Sequence, residues 1–236
     1  MNKLIIDNVY ELSDLIITED TNLLINLKDS SDLIHIDVME NMCLYVLEFG
    51  NNTKNKVEYN LRENSSVIVN KIGVNNSDKV YINLNGENAN ITYNTSIINI
   101  EENNYYQMVN HNCSNTKSNI SNHAVNLYDK DFTFDIDAKV FNESNNCFTD
   151  QDNKIINFGC GKNEIKPNLL VDNNLIDATH SAYIGNFNPK TIFYLQTRGI
   201  SKEQIEELLT VGFLIEKMNL FEDEKEIIMT FISEHI

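Results

Sequence analysis

Apolar and polar residues alternate in three consecutive stretches near the start of the chain: HIDVMENMCLYVLEFGN, EYNLRENSSVIVNKIGVNN and INLNGENANITYNTSIIN. Ile34, Ile36 and Val38 fall on one side of the first, and Val57, Tyr59 and Leu61 lead into the second in the same way. A period of two marks strands with one buried face. Each unit reads strand, Glu-Asn, strand. The pairs are Glu40-Asn41, Glu63-Asn64 and Glu87-Asn88, spaced 23 and 24 residues apart. The chain must turn at each pair, and asparagine tolerates the left-handed backbone that such corners use. Two strands per unit at this period are too few for a propeller blade and fit a solenoid whose coils stack at about 4.8 Å. Antiparallel hairpins would show tight two-residue Asn-Gly or Asp-Gly turns, and the repeated corner pair here is Glu-Asn instead. The pattern predicts a mainly β chain folded as a parallel β-helix.

The alternation resumes at 125–142, with Phe132, Phe134 and Ile136 on one face, and further strands read at 154–159 and 168–176. Solenoid strands are thus expected from about residue 22 to residue 190. The polar stretch 101–123 reads as one strand with long turns. After Gly199 the period changes to a helical one. Ser201 with Gln204 forms a capping box, and Ile205, Leu208, Leu209, Phe213 and Ile215 follow at helical spacing. A second helix is expected from Glu222 to Ser233, with Ile227, Ile228, Phe231 and Ile232 as its apolar side. The organisation expected is an N-terminal segment (1–21), a β-helix core (22–198) and a helical C-terminal segment (199–236). Its two helices would cover the edge of the last coil or offer a docking surface.

Composition narrows the functional classes. With 42% apolar and 22% charged residues in 236 positions, the chain is globular. A formal net charge of −17 disfavours nucleic acid and anionic membranes as partners. The first residues are broken by acids and no apolar run approaches membrane-spanning length, so a cytoplasmic protein with reduced thiols is expected. Cys43, Cys113, Cys147 and Cys160 include no CxxC pair and make a poor zinc signature.

Several residues could carry chemistry. His180, in a strand-like segment, reads on residue grounds as a structural histidine, with metal ligation or base catalysis as its other roles. Cys160 lies between two glycines and is the cysteine least expected to be buried. His111 and Cys113 share a strand face, which gives two ligands and not a metal site. Asp150 and Asp152 also share a face, as a glycoside hydrolase would require. Phosphate-binding loop, GxSxG and HExxH motifs are all missing, so no catalysis by the chain itself is expected.

Residues 177–200 add a resemblance. Asp177, His180, Ala182, Gly185, then Phe193-Tyr194-Leu195 and Arg198-Gly199-Ile200, occur in the order of the C-terminal signature of the SufB/SufD iron–sulfur cluster assembly family. Pro167 with Leu169, TDQDNKIIN (149–157) and VNHNCSNTKS (109–118) resemble upstream segments of that family, and the likeness covers roughly 105–220. It implies a right-handed parallel β-helix with flanking helices, and a short form in which the helical N-terminal domain of longer members is absent or cut to residues 1–20. His180 falls on the histidine that the SufD type is thought to contribute near cluster assembly. Asp152 and Ser181 stand where the SufB type has its cysteine and glutamate, so the chain looks SufD-like. Ser181 and Tyr183 also replace the glycine and threonine usual after this histidine. The resemblance implies a non-catalytic scaffold that pairs with a SufB-type subunit or a second copy of itself. It would dock a SufC-type ABC ATPase through the segment containing Arg198, Gly199 and Phe213, and His180 with Cys160 would meet a transient iron–sulfur cluster. The alternatives are a carbohydrate-active solenoid using Asp150 and Asp152, or a purely structural one.

Overall fold

A computed structural model of the chain describes residues 2–6 and 13–236. Its strands alternate between two parallel sheets. One holds β1 (Asn2–Ile6), β3 (Thr21–Lys28), β5 (Cys43–Asn51), β7 (Ser66–Val74), β9 (Asn90–Asn99), β11 (Lys117–Asn126), β13 (Cys147–Asn157) and β15 (Ile176–Gly185), in that spatial order. The other holds β2 (Leu15–Ile17), β4 (Leu33–Val38), β6 (Lys56–Leu61), β8 (Lys79–Leu84), β10 (Asn103–His111), β12 (Phe132–Val140) and β14 (Asn163–Val171). Each strand pairs with the strand two places on, so the chain winds as the expected parallel β-solenoid. The winding starts earlier than residue 22, because β1 pairs with β3 from Asn2↔Thr21 onward.

The corners explain the asparagine-rich composition. Asn41, Asn64, Asn88, Asn115 and Asn146 have φ between 54° and 63° at one corner, and Asp29, Asn52 and Asn75 have φ between 48° and 52° at another. Left-handed backbone clashes with most Cβ-bearing residues, and short amide or acid side chains tolerate it best. The same side chains bond from coil to coil, with Asn64 Nδ2 donating to Asn41 Oδ1 and Asn88 Nδ2 to Asn64 Oδ1, each at 3.0 Å.

The interior is filled by the inward residues of both sheets, among them Tyr59, Tyr93, Tyr105, Phe132 and Phe134. The stretch 101–123 departs from expectation, since it forms two full strands, β10 and β11, around a short corner. Its inward positions include Gln107, His111, Ser118 and Asn122, all fully buried, and these polar residues mask the alternation.

Three helices follow the coil: α1 (Pro189–Thr197), α2 (Lys202–Ile215) and α3 (Glu222–Ser233). The expected Ser201–Gln204 capping box is present on α2. Helix α1 is additional; Asn188 caps it by accepting from Lys190 N at 2.9 Å, and Pro189 occupies its first turn. Helices α2 and α3 do not cover the edge of the last coil. They lie on the outer face of the eight-stranded sheet, where Val211, Leu214, Ile228 and Ile232 pack with Leu47, Ile72, Val74, Ile98, Val125 and Ile156 in a second core. The cause is a doubled apolar pair late in several strands, such as Ile97-Ile98 and Ile155-Ile156, which faces one residue inward and one outward. Among the described residues, no helix is long and apolar enough to cross a membrane.

Candidate functional site

The coil ends unevenly. Interior strands have a neighbour on each side, whereas β15 and β14 stand at the ends of their sheets with one neighbour each. Their inward rows lack a covering coil. On β15 this row is Ala178, His180, Ala182 and Ile184, in register with Thr149, Gln151, Asn153 and Ile155 of β13. His180 is exposed, and among the described residues no polar group engages its ring nitrogens. Beneath it, Gln151 is fully buried with both side-chain amide atoms unpartnered. Asn153, also fully buried, donates from Nδ2 to the Ser181 carbonyl at 3.5 Å. The open end therefore presents an imidazole over a polar floor, faced by the partly buried Ile165, Pro167 and Leu169 of β14.

The outward residues beside His180 are structurally committed. Thr179 Oγ1 donates to Asp150, and Ser181 Oγ donates to Asp152 Oδ1 at 2.9 Å. Asp152 also meets Lys154 at 3.2 Å and Lys217 at 3.1 Å. Burial pushes this carboxyl up, but the Ser181 hydroxyl and the Lys217 and Lys154 ammonium groups outweigh that and hold it below the ordinary range. It ties β13, β15 and the chain beyond α2 together. A carboxylate held ionised in this way does not serve as the proton-donating acid of a glycosidase.

Cys160 is exposed at the corner between β13 and β14, where its N–H donates to Asp129 Oδ1 at 2.5 Å. His180 lies beside Gln151, and six strand residues from there to Asn157 span about 20 Å at 3.3 Å each, so the two are not brought together. His111 and Cys113 do not converge either. His111 is buried in the interior, with Nδ1 2.8 Å from Thr116 Oγ1 and Nε2 3.0 Å from Ser118 Oγ, while the Cys113 thiol donates to the Asn85 carbonyl at 3.1 Å. Among the described residues, no three His, Cys, Asp or Glu side chains group as a metal site would need.

The expected partner-binding residues divide. Arg198 is exposed at the end of α1, donating to Tyr194 Oη at 3.2 Å with its guanidinium 5.2 Å from that ring. Gly199 has φ 84° and terminates the helix in a conformation that suits glycine. Phe213 faces inward: its ring stacks on His123 at 4.6 Å, and its carbonyl accepts from His123 Nδ1 at 2.8 Å. It anchors α2 to the sheet. The exposed large apolar side chains of the helices are instead Phe193, Tyr194, Leu208, Ile227 and Met229.

Sequence reasoning missed Gln151 and a column of interior polar residues. Glu48, Lys71, Thr95, Asn122 and Asn153 occupy one inward position on successive coils, and Lys71↔Thr95 stand opposite each other one residue from the Asn70↔Asn94 pair. The available signal was a polar residue at the inward phase of each strand's alternation.

Comparison with known proteins gives two findings. The model of the SUF system FeS cluster assembly, SufBD core domain, matches residues 53–213. The iron–sulfur cluster assembly protein SufD of Bacillus subtilis (strain 168) is 38% identical over 58 residues, which cover 25% of this chain and 13% of that protein.

Proposed function

The chain belongs to the SufBD core family of FeS cluster assembly proteins, and from that premise we propose that it is a non-catalytic, SufD-like scaffold subunit of a cluster assembly complex. Its open coil end pairs with a SufB-type β-helix or with a second copy of itself, and its helices dock a SufC-type ABC ATPase. The observation that carries this reading is the uncovered inward row of β15, with His180 at its centre. Ile184, Tyr183, Leu175, Leu170 and Val171 are between 39% and 63% exposed at this end. An open strand edge with apolar side chains around it is a pairing surface.

Iron and sulfide are cargo in this reading. His180 supplies one neutral imidazole, a suitable iron ligand, and the remaining ligands come from the chain that covers the edge. Cys160 is too remote to share that ligand set within one protomer. ATP-driven closure of two docked ATPase subunits would strain the paired coils and admit cargo to the interface. Phe193 and Leu208, exposed on α1 and α2, are the side chains offered to the ATPase. The carbohydrate reading is disfavoured by the commitment of Asp150 and Asp152 to β15.

An anaerobic pull-down of the tagged chain from its host tests the proposal. Recovery of a β-helix subunit and an ABC-type ATPase is expected. Ala182→Glu should lose the former and keep the latter, and Leu208→Asp should do the reverse. A chain recovered alone would leave the purely structural reading.

A further inference from the structure

A second chemical cluster lies inside the coil, far from the open end. Strands β5 and β7 and the corner before β8 place Glu48, Lys71 and Asp78 in the interior, with side-chain exposures of 3%, 0% and 0%. Lys71 Nζ touches the Glu48 carboxylate and lies 2.6 Å from Asp78 Oδ2. Both oxygens of Asp78 accept other hydrogen bonds: Oδ1 from the Asn55 N–H at 2.6 Å and Oδ2 from the Thr53 hydroxyl at 2.9 Å. The buried rings of Tyr59 and Tyr105 belong to the same interior.

Two carboxylates against one ammonium leave an excess negative charge in an apolar interior. Buried ion pairs carry a desolvation cost that their attraction does not reliably offset. A reaction that would remove the buried ammonium–carboxylate pair itself is at hand, because an amine and a carboxyl are held in contact in a dry site. Such enclosure corresponds to effective concentrations on the order of 10⁵ M or more.

We propose that Lys71 and Asp78 condense into an intramolecular amide cross-link, with Glu48 as the proton shuttle. One proton passes from the Lys71 ammonium to the Asp78 carboxylate, giving an amine and a carboxylic acid. The amine nitrogen attacks Asp78 Cγ and forms the new C–N bond. Glu48 takes one of the two amine hydrogens and hands it to the departing hydroxyl as the C–O bond breaks, so that water leaves and Glu48 is again a carboxylate. Total charge is unchanged and no oxidant or cofactor takes part. The Asn55 N–H and the Thr53 hydroxyl already point at the carboxyl oxygens, where negative charge develops during attack. Burial pushes the Glu48 carboxyl above its ordinary range, which makes it the stronger base for this transfer. Burial pulls Lys71 down, but Asp78 and Glu48 raise it further, so the ammonium is the resting form and the amine arises only by transfer.

The test is the intact mass of the full chain, measured on the native protein. The expected mass is lower than that of the sequence by one water molecule, and fragmentation should place the link between Lys71 and Asp78. The full sequence mass would overturn the proposal. A cyclic imide at Asp78 also loses one water, so Lys71→Met separates the two: the loss must vanish in that variant, and its persistence would refute the cross-link. Glu48→Gln should retain the uncondensed mass, and condensation without Glu48 would remove its shuttle role.

Discussion

Strands β9 and β15 are built on the same alternation and meet opposite fates. In β9 the inward Ile91, Tyr93 and Ile97 are no more than 1% exposed, whereas Ile184 on the inward row of β15 is 45% exposed. The difference lies in the neighbours, because β9 sits between β7 and β11 while β15 has β13 alone. A strand's own pattern decides which residues point inward, and the next coil decides whether they are covered. One inward position also turns polar along the coil: it is Val69, Tyr93 and Ile120 in the middle coils, then Gln151 and His180 at the end. In the proposed pairing, this uncovered row with a polar residue at its centre is where a second β-helix continues the coil.

Substitutions should separate the two regions. Tyr93→Ala removes a fully buried ring from a covered coil and should cost about 3–5 kcal/mol in urea denaturation. His180→Ala, at the open end, should stay within about 0.5 kcal/mol. An equal cost at both sites would break the distinction between covered and uncovered coils.

The interior histidine His111 gives the covered coils a pH signature. Burial lowers His111 from 6.5 to about 4, so the folded state favours the neutral ring. The unfolded chain then binds more protons below pH 6.5, and stability is complete above that value and lost as pH falls toward 4. The loss should reach about 3 kcal/mol, and His111→Gln should flatten it. A wild-type chain equally stable at pH 4.5 and pH 7 would contradict the account.

Glycines sharpen the contrast between coil and helix. A Cβ on Gly73 would lie 2.2 Å from the Gly50 carbonyl oxygen and from Asn76, so Gly73→Ala should destabilise by about 1–3 kcal/mol. Gly212 in α2 has nothing within 4 Å of that position, and Gly212→Ala should stabilise by about 0.5–1 kcal/mol. At the corners, Asn64→Gly should be nearly neutral while Asn64→Ala costs about 1 kcal/mol, since φ is 55° there.

Much of this was legible in the residues. The Glu-Asn spacing located the corners, Phe132, Phe134 and Ile136 marked the inward face of β12, and the helix at Glu222–Ser233 emerged at the expected bounds. Three things were hidden. Polar inward residues such as Gln107 and Asn122 disguised β10 and β11, because periodicity detects apolar faces and not polar interiors. The helices' resting place was hidden because a doubled apolar pair in one strand does not say what covers it. Gln151 was hidden because an inward amide and an outward amide look alike until register is known.

The central claim is that the β14–β15 end is covered by another chain. Amide hydrogen exchange tests it most directly, measured on the isolated chain and on the complex recovered anaerobically from the host. The account predicts that amides of residues 163–171 and 176–185 exchange readily in the isolated chain and become protected in the complex, while those of β7 and β9 stay protected in both. Unchanged exchange at β14 and β15 would contradict it.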